Sequence, residues 1–107
     1  NIMTKQEIEQ LLDKTGIEYR HHHFEVTEAV DPPFLVWYLP GSDNFAADGR
    51  VYFRIDKLNL ELYTDQKDFA LEEKVEHMLS DAGLYWNKTE SFLDEEQMYE
   101  VLYEMEV

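Results

Sequence analysis

The clearest constraint on the fold is the alternation at residues 99–107. Every odd position there is apolar or aromatic: Tyr99, Val101, Tyr103, Met105 and Val107. The even positions are mostly glutamate. Because successive side chains of a strand point to opposite faces, this pattern predicts a closing strand with one apolar face. Tyr99 and Tyr103 should share that face.

Four further segments predict strands. Alternation over 17–22 indicates a short strand that ends near three histidines, and the continuous apolar run 34–39 is typical of a buried strand. Residues 50–63 give the longest signal, whose apolar parity changes near Asp56-Lys57. Since one inserted residue exchanges the two faces, this change indicates a bulge or bend. A strand is also expected from Leu84 to about Phe92, turns at 40–44 and 47–49, and irregular chain at 24–31.

Two amphipathic helices complete the pattern. Thr4 and Glu7 have the spacing of a capping box, and Gly16 provides the left-handed stop of the first helix. Either Asp65 or Asp68 can cap the second helix. Its predicted apolar stripe consists of Leu71, Val75, Met78, Leu79 and Ala82, and Gly83 should end it.

The elements follow the order α-β-(irregular)-β-β-α-β-β. With hairpins at 40–49 and 94–97, we predict an α+β fold whose sheet is mostly antiparallel and carries both helices on one face. Residues 3–107 should form a single domain. We expect Met3 to be the native start, with Asn1 and Ile2 added for expression.

The composition narrows the classes of function. The chain has 24 acids against 9 Lys and Arg, a formal net charge of -15. Nonspecific binding to nucleic acid and docking on anionic membranes both depend on basic surface, so neither is expected. The absence of cysteine excludes disulfides and thiolate chemistry. No apolar run approaches the roughly 18 residues of a membrane-spanning helix.

The sequence does not predict a catalytic or metal site. On a strand only His21 and His23 of the histidine run could share a face, and three or four convergent ligands are needed for zinc. His77 should lie on the surface. Carboxylate pairs are numerous, but none is distinguished as an acid–base pair, and the serines lie in no nucleophile motif. A hydrolase with two cleft carboxylates is therefore the weakest of the alternatives.

The aromatic residues favour assembly with other proteins. A small domain cannot bury all of its Tyr and Trp side chains, and both residue types are common anchors at interfaces. The closing strand could also leave a free sheet edge, to which a neighbouring strand could add.

Four stretches, which together span most of the chain, resemble the tail-terminator or tail-completion proteins of long-tailed phages and prophages of Gram-positive bacteria. They are Lys-Gln-Glu-Ile at 5–8 with Gly-Ile-Glu-Tyr at 16–19; Pro-Phe-Leu-Val-Trp-Tyr at 33–38 with Asp-Asn-Phe-Ala-Ala-Asp at 43–48; Leu-Glu-Leu-Tyr-Thr-Asp-Gln-Lys-Asp at 60–68 with Leu-Glu at 71–72; and Glu-Gln-Met-Tyr-Glu-Val-Leu-Tyr-Glu-Met at 96–105. The element order is also similar to the α-β-X-β2-α-β2 arrangement of that family.

The resemblance implies a structural virion protein that is made in the host cytoplasm and lies at the head-proximal end of the tail. Its partners would be further copies of itself in a ring, commonly a hexamer, together with the tail tube protein and the head–tail connector. It implies no cofactor, no metal and no catalytic residue. Genomic DNA would pass through the ring without specific binding, and an acidic lumen would repel its phosphates. The candidate interface or lumen residues are Asp43, Asn44, Phe45, Asp48, Tyr99 and Tyr103.

Acidity alone suits one other class equally well. An acidic protein whose carboxylates are spaced like phosphates could mimic DNA and inhibit a nuclease or repressor of the host. Such an inhibitor would be a monomer or dimer that binds a basic protein, whereas the tail protein would add to tube ends.

Overall fold

A computed structural model describes residues 3–23, 31–42, 45–47, 50–53 and 55–107. Helix α1 (Lys5–Asp13) has the predicted capping box. The amide of Glu7 donates to the Thr4 hydroxyl at 3.1 Å, and the Thr4 amide donates to the Glu7 carboxylate at 3.0 Å. After the helix, Gly16 adopts the left-handed region with φ +70°, which confirms the predicted stop.

Helix α2 (Phe69–Asp81) begins at Asp68, whose carboxylate accepts from the Leu71 amide at 3.0 Å. Of the two caps that the sequence allows, Asp68 is therefore the one used. Val75, Met78 and Leu79 are buried as predicted. At the start of the predicted stripe, Leu71 is half-buried and packs against the core, but the predicted end is wrong, because Ala82 lies past the last helical residue and is exposed. Neither helix within the described ranges is long or apolar enough to cross a membrane.

Within the described residues, seven strands form two sheets. They are β1 (Glu18–His21), β2 (Phe34–Ser42), β3 (Phe45–Ala47), β4 (Arg50–Phe53), β5 (Asp56–Thr64), β6 (Trp86–Leu93) and β7 (Met98–Glu106). The main sheet has the order β1-β2-β5-β7-β6, and β3 pairs with β4 separately. Only β1 and β2 are parallel; the other pairs are antiparallel.

Three strand boundaries differ from the predictions. The last predicted pair of strands begins at Trp86 rather than at Leu84. The predicted turn at 40–44 begins later, because β2 continues to Ser42 through an irregularity between Tyr38 and Gly41. Pro40, which has no amide hydrogen to donate to a sheet hydrogen bond, lies within this irregularity. The predicted long strand over 50–63 is two strands, since β4 belongs to the small sheet and β5 to the main one. The change of parity marks that boundary rather than a bulge.

The core lies between the two helices and one face of the main sheet. Alternate residues of β5 (Leu58, Leu60 and Leu62) are at most 2% exposed, and they pack in one cluster with Trp37 and Tyr103. The buried side chains of both helices belong to the same cluster. The chain therefore has the predicted α+β architecture with both helices on one face. We call this side of the sheet the helix face and the opposite side the far face.

Candidate functional site

The six candidate interface residues fall in three different environments. Asp43, Asn44 and Asp48 lie outside the described residues. The backbone of Phe45 is in β3, paired with Phe53 of β4.

The two tyrosines of β7 are not equivalent. Tyr99 is partly buried, with its ring edge-on to Phe92 at 5.0 Å between centroids. Tyr103 is 0% exposed, and its hydroxyl donates to Glu76 of α2 at 2.8 Å. The proposed interface role of Tyr103 is therefore wrong, because the folded chain leaves no part of its ring for a partner. Tyr99 remains a candidate.

The predicted free edge is also misplaced. β7 lies inside the sheet, paired with β5 on one side and β6 on the other. The turn at residues 94–97 folds β6 back along β7, so the outer strands of the main sheet are β1 and β6. Edge character therefore belongs to those two strands.

Two of the three histidines make ring contacts: His21 stacks on Trp37, and the ring of His22 is tilted by 44° to that of His21. The ring of His21 lies 4.2 Å from Trp37 and 4.3 Å from His22, measured between centroids. His22 has φ +69°, which ends β1 and turns its ring toward its neighbour. Burial, then the neighbouring His22 and Lys5, lower the pKa of His21. All three histidines and His77 are exposed.

Within the described ranges, no group of three or more His, Asp or Glu side chains is placed to hold a metal ion.

On the far face, tyrosines and glutamates form a hydrogen-bonded cluster. The Tyr63 hydroxyl lies 2.8 Å from a carboxylate oxygen of Glu61 and 2.9 Å from one of Glu100. The Tyr38 hydroxyl lies 3.1 Å from the other carboxylate oxygen of Glu61. The Tyr63 hydroxyl has one hydrogen and can donate to one carboxylate at a time. Burial, together with these carboxylates, raises the pKa of Tyr63. The cluster therefore keeps Tyr63 protonated and orders the centre of this face.

Charged side chains also join α2 to the edge strand β6. Glu72 of α2 is 3% exposed and forms ion pairs with Lys67 and with Lys88 of β6. The ammonium group of Lys88 also lies 2.7 Å from the carboxylate of Glu76, and Lys67 forms a second ion pair with Glu90 of β6. The pairing neutralises these acids locally and fixes the edge strand against the helix. Sequence reasoning did not identify this cluster, although Glu72 lies three residues before Val75 and so on the same helical face.

No family model matches the chain, and no curated protein is significantly similar to it.

The described surface thus presents two outer strands, a polar far face and an ion-pair cluster between α2 and β6. Four carboxylates, Glu61 and Glu100 of the far face and Glu72 and Glu76 of α2, are hydrogen-bonded to tyrosines or lysines of the same fold, which is typical of groups with a structural role.

Proposed function

We propose that this protein is a structural component of a phage tail, which caps the tail tube as a ring and joins it to the head connector. The order of its elements carries the proposal. One helix and one strand precede an antiparallel pair, β2 and β5, and a second helix precedes another pair, β6 and β7. This is the order that the resemblance to tail terminators implies, with the small β3–β4 hairpin inserted between β2 and β5.

The charge of the chain supports the same role. A net charge of -15 is a poor match for stable contact with DNA but suits a channel wall along which DNA must slide. Exposed helical acids such as Glu73 and Asp81 have no ion-pair partner among the described residues. Together with Asp43 and Asp48, acids of this kind would line or rim the channel.

Addition to tail tubes tests the proposal most directly. Purified protein is mixed with tubes assembled from the tube protein of the same phage or prophage, and the mixture is analysed by light scattering and negative-stain microscopy. We expect a ring of density at one end of each tube and an arrest of further tube growth. Tubes that grow equally with and without the protein would contradict the proposal.

A second arm separates the tail protein from an acidic inhibitor that mimics DNA. If the chain ignores tubes but binds a basic nuclease or repressor and competes with duplex DNA for it, the inhibitor is the correct function. Stable addition to tubes with no such competition favours the tail protein.

The lumen is tested by charge reversal. The double variant Asp43→Lys/Asp48→Lys should still assemble but slow genome passage, because lysines would retain phosphates by releasing counterions. The matched neutral variant Asp43→Asn/Asp48→Asn should have a smaller effect. If phage carrying the lysine variant are as infective as phage carrying the asparagine variant, these two acids lie away from the channel.

A further inference from the structure

The two outer strands of the main sheet run in opposite directions. Across the order β1-β2-β5-β7-β6, the direction is kept once, between β1 and β2, and reversed at each of the three later steps. When a second copy is set beside the first in the same orientation, its β1 therefore meets β6 antiparallel. We infer that β6 of one copy pairs with β1 of the next, so that the sheet continues from copy to copy. The inference rests on the proposed ring, since a head-to-tail contact of this kind generates a ring when its rotation closes.

Strand β6 has the properties of a pairing edge. Its residues between Trp86 and Leu93 are all exposed, and no described strand pairs with its outer side. Phe92 is 45% exposed near the end of the strand, an unusual position for an aromatic side chain on an unprotected edge. Lys88 pairs with Glu72 of α2, and Glu90 pairs with Lys67 just before that helix, so the position of the strand is set before a partner arrives.

Strand β1 offers a matching place. A groove of about 600 Å3 runs along it, bounded by α1 on one side. Two permanent bases, two histidines and two acids line this groove. They are Lys5 and Arg20, His21 and His23, and Glu9 and Glu18. The permanent bases and acids of this groove cancel, whereas the chain as a whole has a net charge of -15, so the groove does not repel an approaching strand of a second copy.

The side chains select a register. Tyr19 and His21 lie on the helix face, opposite Leu35 and Trp37, and Phe92 and Glu90 lie on the same face of β6. Antiparallel pairing of Tyr19 with Phe92 places Arg20 opposite Ser91 and His21 opposite Glu90. This register joins two aromatic rings and a histidine with a carboxylate, both favourable cross-strand pairs. A shift of two residues would place His21 opposite Lys88 instead.

Cysteine cross-linking tests the pairing cleanly, because the chain has no cysteine of its own. Arg20→Cys and Ser91→Cys are purified separately, checked for folding by circular dichroism, and oxidised under mild conditions alone and as a mixture. We expect the mixture to form mixed disulfide dimers well in excess of either variant alone. The double variant should give a ladder of oligomers that ends in a closed species. Glu18→Cys, on the same strand and face but opposite Leu93, is the matched control and should cross-link poorly to Ser91→Cys, since bridged cysteines need Cα atoms closer than about 7 Å.

Three outcomes would overturn the inference. The first is that Ser91→Cys dimers are the main product, which would indicate two-fold pairing of β6. The others are equal yields of mixed disulfide from Arg20→Cys and Glu18→Cys, or no disulfide above the level that an exposed Lys74→Cys variant on α2 gives. The tube experiment with the unmodified protein is independent of these results. Caps on tubes without the mixed disulfide would refute the edge pairing alone, and the mixed disulfide without caps would refute the tail function alone.

Discussion

The ammonium group of Lys88 lies 3.0 Å from the carboxylate of Glu72, whose side chain is 4% exposed. Lys67 approaches the other oxygen of the same carboxylate. One buried acid on α2 is thus compensated by two bases from outside the helix, and this compensation fixes the position of the edge strand β6. Several measurable properties depend on it.

Replacing Lys88 by Met should lower the free energy of unfolding by about 1–2 kcal/mol. Loss of one base leaves the buried carboxylate of Glu72 with a single partner, but Lys88 is partly exposed, so the cost falls between those of exposed and buried pairs. Urea unfolding followed by circular dichroism measures it. Lys74→Met on the same helix, an exposed site with no ion pair among the described residues, should change stability by less than about 0.5 kcal/mol. Equal losses in the two variants would show that the pairs contribute nothing specific.

The same carboxylate should make stability depend on acidity. Burial alone would raise the pKa of Glu72, but hydrogen bonds and charge from Lys67 and Lys88 outweigh it and hold the pKa below its usual 4.5. Since the folded pKa is lower than the unfolded one, the ionised carboxylate stabilises the fold above about pH 4.5, and this contribution is lost as pH falls through the folded pKa. Glu72→Gln should therefore be less stable than the parent at neutral pH, with a gap that narrows on acidification. A gap that stays constant from about pH 7 to pH 3 would contradict this linkage.

Thr15→Val should destabilise the protein by about 1–2 kcal/mol. The hydroxyl of Thr15, 2% exposed, donates to the Leu12 carbonyl at 2.8 Å and accepts from the Ile17 amide at 3.1 Å. Valine has nearly the same shape, so the variant isolates the two hydrogen bonds that join the end of α1 to β1. Thr89→Val on the exposed strand β6 is the control and should be nearly neutral. Chemical denaturation of both variants gives the comparison, and a neutral Thr15→Val would show that water replaces the hydroxyl.

Alkaline conditions should destabilise the fold through two tyrosines. Burial, followed by hydrogen bonds to glutamates, raises the pKa of both Tyr63 and Tyr103 above the usual 10. Because the folded state retains protons that the unfolded state releases, stability is full below about pH 10 and declines above it. Tyr63→Phe should reduce this decline, while Tyr85→Phe, at a side chain that is 94% exposed, should leave it unchanged. Denaturant midpoints of unfolding, measured for both variants between about pH 9 and pH 11, test this prediction. The two variants should decline equally if Tyr63 ionises freely in the folded protein.

The sequence was most informative where structure depends on near neighbours. The capping box of Thr4 and Glu7, the stop at Gly16 and the two faces of β5 and β7 follow from spacings of two to four residues. Strand order does not, because it depends on contacts between distant segments. Alternation placed Tyr99 and Tyr103 on one face but could not show that α2 covers Tyr103 and leaves Tyr99 near the rim. For the same reason alternation alone predicts β7 as an edge strand, whereas β6 lies beside it.

The interior position of β7 also bears on how the protein folds as it is synthesised. β7 follows β5 and β6 in sequence, yet it lies between them in the main sheet. Until residue 106 has left the ribosome, β5 and β6 have no strand between them, and their apolar side chains have no complete sheet to join. Cooperative folding should therefore begin only after β7 emerges, and stalled nascent chains that end before residue 98 should remain sensitive to protease.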